Sequence, residues 1–184
     1  MRGIERLMAV APPPKTKKGS GIRDQWDELE RIFNLKFPND FKELIATYGA
    51  GRFANFFGVA NPFYTSAGDI TFQEFVQLRT RDINEAKVSY PKTAVHLSVY
   101  PEKNGLFPWG YTDNGETMCW LTEGDSSHWP VICLEVGYLN NYDRFDLSIV
   151  EFIGKWLTNE ISVPTLTPPD FYPLKSPVFC PSVI

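Results

Sequence analysis

Asp125, Ser126 and His128 are the three side-chain types of a nucleophilic triad, and they fall within one short stretch of the chain. A triad activates its hydroxyl for acyl transfer only when its members are fixed on a scaffold beside an oxyanion hole. Here they crowd into the single turn Gly124-Asp125-Ser126-Ser127 and the residue after it. The sequence therefore assigns no catalytic residue, although a small hydrolase using His128 and Asp125 stands as a reading to be tested. Metal chemistry is no better served. Cys119, Cys133 and Cys180 form no C-x-x-C pair, and His96 and His128 are far apart, so neither a metal nor a cofactor is expected. Three unpaired thiols suit a reducing cytoplasm. Gly49-Ala50-Gly51 follows a helical pattern where a phosphate loop would precede one.

The residues with the strongest pattern are acidic and aromatic. Residues 104–143 contain no lysine or arginine, but hold Asp113, Glu116, Glu123, Asp125, Glu135 and Asp143, together with Trp109, Trp120 and Trp129. Acids are common at turns, which offers a purely solvated reading of Asp113, Glu116 and Asp125. Yet edge strands commonly use lysine to discourage unwanted pairing, and this stretch has none. A surface without cations is poor at holding phosphate and well suited to a basic protein. The candidate partner-binding residues are Asp113, Glu116, Glu123, Asp125, Trp109, Tyr111 and Trp120. Simple strand alternation puts Phe107, Trp109 and Tyr111 on one face, with Leu106 and Pro108 on the other.

Charge along the whole chain points the same way. The formal net charge is −4, but residues 1–23 carry +5 and the remainder −9. An acidic body excludes nucleic acid as a partner and speeds the approach of basic ones. The run Lys15-Thr16-Lys17-Lys18 is too short a footprint to alter that. No stretch approaches the ~20 apolar residues of a membrane span, and Leu7-Met8-Ala9-Val10 is too short for a secretory core.

Hydrophobic periodicity supplies the elements that position these residues. Residues 1–10 read as a short helix, stopped by Pro12-Pro13-Pro14 and followed by a basic linker to residue 21. Trp26, Leu29, Ile32 and Phe33 mark a second helix, and Phe41, Leu44, Ile45 and Tyr48 a third that opens at Pro38 and ends at Gly49. Residues 51–59 are β-like. Thr71-x-x-Glu74 and Ser148-x-x-Glu151 are capping boxes for two further helices, the second bearing Ile149, Phe152, Ile153, Trp156 and Leu157. Strands are expected over 95–100, 106–112, 117–121 and 130–136, with a weaker one at 142–145. Asn114-Gly115 predicts a type I′ hairpin turn. Residues 161–184 include six prolines and read as an extended tail. It packs on the domain or on a second copy of the chain, which would give a homo-oligomer. The expected organisation is an N-terminal helix and linker over 1–21, a domain over 22–160 and the tail. The fold class is α+β, an antiparallel sheet covered on one face by helices.

Several short motifs occur in a telling order. They are Trp26-Asp27-Glu28-Leu29-Glu30, Phe37-Pro38-Asn39-Asp40-Phe41-Lys42 and Tyr48-Gly49-Ala50-Gly51. Then come Gly105-Leu106-Phe107-Pro108-Trp109-Gly110, Asp113-Asn114-Gly115-Glu116 with Trp120, Trp129-Pro130-Val131-Ile132 and Phe152-x-x-x-Trp156-Leu157. This ordered set, over about residues 24–158, resembles the SUKH superfamily of bacterial immunity proteins and fungal cell-wall-synthesis regulators. The match departs at Phe37, where the family usually has leucine. Pro38, Gly49, Gly105, Gly110 and Gly115 are its structural motif positions.

The resemblance implies a non-enzymatic domain that binds another protein. In bacterial members the partner is a toxin of a polymorphic or contact-dependent system, often a nuclease. The expectation is thus a cytoplasmic immunity protein that neutralises a cognate toxin by occlusion. The alternative is a regulatory scaffold of the fungal type.

Overall fold

The computed structural model describes residues 3–91, 96–135, 142–166 and 178–182. Among them the chain forms, in order, α1 (Gly3–Val10), α2 (Arg23–Phe33), α3 (Asn39–Tyr48), β1 (Gly51–Phe53) and β2 (Phe57–Val59). There follow α4 (Phe72–Ser89), β3 (Leu106–Thr112), β4 (Thr117–Leu121), β5 (Val131–Leu134), β6 (Tyr142–Phe145), α5 (Ile149–Leu157) and β7 (Phe179–Pro181). The strands make one sheet in the order β6-β5-β4-β3-β2-β1-β7, each pair antiparallel. This is the expected α+β class.

Strand alternation splits the core in two. Met118 and Trp120 of β4 and Val131 and Cys133 of β5 point to the side where α1, α2, α3 and α5 gather. Cys119, Leu121, Ile132 and Leu134 point to the other side. The helix side is the larger, and it is dominated by aromatic rings. Phe37 fills its middle and meets Trp26, Phe33, Phe41, Phe72, Phe107 and Trp120. Helix α4 serves both sides. Phe72 at its start joins the aromatic core, while Ile83 three turns later covers Leu106, Cys119 and Leu121 on the opposite face. Both faces of the central strands are therefore dry, which explains why β4 and β5 are buried at every position.

The local signals hold at the helix ends. Thr71 and Glu74 close a reciprocal box at the start of α4, with Thr71 N–H donating to Glu74 Oε2 at 2.7 Å and Glu74 N–H to Thr71 Oγ1 at 3.3 Å. Ser148 and Glu151 do the same for α5. Gly49 ends α3 at φ +68°, a backbone conformation that side chains disfavour. One cap is tertiary and was not legible: Asp40, in the first turn of α3, accepts the Ile149 N–H at the start of α5 at 2.8 Å. Burial pushes the Asp40 carboxyl up, and these backbone N–H groups oppose the rise.

Three sequence expectations need correction. Asn114 does not adopt positive φ; only Gly115 does, at +97°. Gly115 N–H donates to Thr112 O and Thr112 N–H to Glu116 O. The hairpin is thus a three-residue loop with glycine at the bulge, the other common solution to the strand twist. Residues 96–98 are not strand, and Val99 makes only an isolated parallel bridge to Leu106. Val95 and Val136 lie outside the described residues, as do Phe171 and Tyr172 of the tail. The third correction concerns Tyr111. The β3–β4 register shifts between Pro108 and Gly110. That bulge at Trp109 flips the side chains after it, so Tyr111, opposite Thr117, lies on the side away from Trp109.

Candidate partner-binding surfaces

Trp109 and Trp120 are 0% and 1% exposed. Their rings stack at 5.5 Å with an interplanar angle of 29°, and Phe107 continues the stack on Trp120 at 6.1 Å. Trp109 faces inward beside Phe107, as alternation places it, and the bulge there parts only Tyr111 from them. Both tryptophans therefore leave the set of surface candidates and belong to the core. Alternation misleads only for Tyr111, because one extra residue shifts every later side chain of a strand.

The six acids do not form one patch. Strand β4 separates the β3–β4 turn from the β4–β5 turn by roughly 14 Å, at ~3.4 Å per residue. Asp113 and Glu116 lie at one end of it, Glu123 and Asp125 at the other. Pairing places Leu134 beside Thr117 and Tyr142 beside Leu134, which brings Glu135 and Asp143 to the end that holds Glu116. Burial pushes the Glu116 carboxyl up, and the neighbouring charge of Glu135 adds to it. Asp143 and Glu116 also help burial to raise the Cys133 thiol. Glu116, Glu135 and Asp143 are thus a true spatial group, anchored by Thr112 Oγ1 on Glu116 and by Thr165, whose N–H and hydroxyl both donate to Asp143.

Asp113 is different. It is ion-paired with Arg52, which arrives from β1. A stretch without cations in sequence is therefore not without cations in space. Sequence reasoning does not single out Arg52, and no local pattern could, because its partner is distant in the chain. Glu30 escapes it likewise. It is a buried carboxylate on α2, and it accepts from Phe37 N–H, Lys36 Nζ and Lys42 Nζ. Burial pushes its carboxyl up, but the two lysines and the backbone N–H outweigh that and hold it below the usual range.

At the far end, Asp125 caps a single turn of 3-10 helix (Ser126–His128). Ser127 Oγ donates to Asp125 at 2.5 Å and lies 3.0 Å from His128 Nδ1. The hydroxyl sits between acid and imidazole, an order that cannot relay a proton from serine to histidine to aspartate. Hydrogen bonds from Ser127 hold the Asp125 carboxyl low. Among the described residues, no group of three or more His, Cys, Asp and Glu side chains could hold a metal ion. No described helix is long and apolar enough to cross a membrane.

The arrangement defines a class: an α+β domain with a dry aromatic core and charged turns at its sheet ends. The family model described as SMI1-KNR4 cell-wall, SUKH_6, matches residues 23–153. That is more than half of the chain, and the chain belongs to this SUKH family. No curated protein matches it. Membership supports a general immunity or regulatory role, in a family whose proteins are generally non-catalytic.

Proposed function

We propose that this protein is an immunity protein that binds a cognate toxin in the bacterial cytoplasm and blocks its access to substrate. Family membership gives the general role. The observation that carries the finer reading is the group Glu116, just before β4, Glu135, just after β5, and Asp143 in β6, three carboxylates that the strand register brings to one end of the sheet. Such a group is a complement for the basic cleft of a nuclease, and charge complementarity gives the fast association an antidote needs. Co-expression with the product of the adjacent open reading frame is the test. Growth rescue together with co-purification is the expected result. A non-toxic neighbour, or toxicity unrelieved by the protein, would remove the reading.

The cell-wall description of the matched family favours a second reading, a regulatory scaffold that binds cellular proteins. Stable capture of a cell-wall-synthesis protein, with no effect on toxin killing, would select it.

A further inference from the structure

A cavity of about 490 Å³ opens between α4, the loop that precedes it and the short strands β1 and β2. Its floor is a row of paired residues, Arg52 on β1 opposite Gly58 on β2 opposite Tyr111 on β3. Gly58 is the reason the floor exists. A Cβ there would stand 2.4 Å from Tyr111 Cζ, so only glycine lets the tyrosine ring lie across β2. The Arg52 guanidinium then sits over that ring, 5.8 Å from its centre. The α4 wall repeats the arrangement, with Phe75 packed against Tyr111 at 5.8 Å and the Arg79 guanidinium 5.8 Å from the Phe75 ring. The C-terminal segment completes the rim, where Ser182 N–H donates to Ala50 O at 2.9 Å.

Two arginines held over adjacent aromatic rings concentrate positive charge here, in a chain of net charge −4. Neither is saturated by the protein. Arg52 Nη2 reaches Phe56 O and Asp113, and Arg79 Nη1 reaches Asp82, but the Nε of each is buried without a hydrogen-bond partner. Lys18 adds a third cation, 5.4 Å from the centre of the Tyr64 ring that lines the cavity. Asp69, exposed at the mouth, is the one carboxylate among the lining residues. The remaining walls alternate apolar groups (Val59, Ala60, Phe72) with short hydroxyl and amide groups (Asn61, Thr65, Ser66). The volume falls within the range of small-ligand sites, about 300–1,000 Å³.

We propose that this cavity binds a small ligand that joins a flat apolar body to a single carboxylate or phosphoryl group. The aromatic pair and Val59 take the body. The planar guanidinium forks take the anion, which they suit better than lysine would. The proposal stands whichever protein the domain binds.

The test is an NMR titration of the full chain with 1-naphthyl phosphate, 1-naphthoate and the neutral 1-naphthamide. At least one anion should bind saturably, in about the millimolar range or tighter, and the amide about tenfold more weakly or worse. The two anions decide between phosphoryl and carboxylate. Arg79→Gln removes charge, and Thr65→Trp fills the mouth while keeping both arginines. Each should weaken the anion about tenfold or more without lowering the melting temperature, so a folding defect in one variant leaves the other to decide. Equal binding of the amide, no saturable binding of either anion, or undiminished affinity in both variants would overturn the proposal.

Discussion

The carboxylate of Asp113, in the β3–β4 turn, is held by the guanidinium of Arg52 from β1. This one pair divides the acidic stretch into residues with and without a resident counter-charge. It also means that reversing Asp113 would leave two cations facing each other and would disturb Arg52, a residue of the cavity floor. Charge reversal is therefore best done elsewhere.

Glu116 and Glu135 can be reversed to lysine as one pair, and Glu123 and Asp125 as the other. If the partner docks at the end that holds Glu116, the first pair should slow association several-fold and reduce its salt sensitivity. The second should leave the rate within about twofold, as expected for charges roughly 14 Å away and beyond a Debye length at physiological salt. Stopped-flow association at two ionic strengths separates these. Equal slowing by both would place the interface across the whole sheet edge.

Glu116 also makes a stability prediction. Its carboxyl is raised by burial and by Glu135, so the folded state binds this proton more tightly than the unfolded chain does. The stability this confers is present at low pH and lost as pH rises through the raised value. Glu116→Gln keeps an acceptor for Thr112 and removes the charge. Its melting temperature should exceed that of the native chain at neutral pH, with the advantage shrinking on acidification. An advantage that grew on acidification would contradict the assignment.

Glu30 behaves in the opposite sense. Its lowered carboxyl contributes stability that is present at neutral pH and lost as pH falls through the folded value. Glu30→Gln loses the charge-assisted bonds to Lys36 and Lys42 while an amide oxygen remains for Phe37 N–H. A cost of about 1–3 kcal/mol at neutral pH is expected, narrowing toward acid. Denaturant midpoints at several pH values give the comparison.

Much of this fold was legible because its helices are local statements. Trp26, Leu29 and Phe33, and likewise Phe41, Leu44, Ile45 and Tyr48, are buried as their spacing selects, but Ile32 of the same α2 pattern is half-exposed while Glu30 is buried. The two capping boxes formed as read. What escaped was non-local or one residue long. The turn of β1 into β2 places Ala54 and Asn55 at φ +52°, and alanine gives no warning of a left-handed backbone. The bulge at Trp109 parted Tyr111 from Phe107 and Trp109, which left Trp109 in the core and made Tyr111 a cavity floor. The pairings Arg52–Asp113 and Asp40–Ile149 join distant parts of the chain, and charge spacing cannot announce them. The acids at turns were found by composition, but their division between two ends of β4 required the strand register.

The sharpest structural test lies at Gly58. Strand glycines usually weaken a sheet, so an alanine in β2 would ordinarily be neutral or helpful. Here its Cβ would meet Tyr111 Cζ at 2.4 Å, Cε2 at 2.7 Å and Cε1 at 2.8 Å. The ring cannot yield easily, since Phe75 packs on it and Arg52 lies over it. Gly58→Ala should therefore cost about 1–3 kcal/mol, the range of an overpacked core. Tyr111→Ala in the same chain removes the obstacle, so the double variant should lose less than the sum of the two singles. Denaturant unfolding of all four chains measures that coupling. A fully additive result would mean that Tyr111 does not lie across β2.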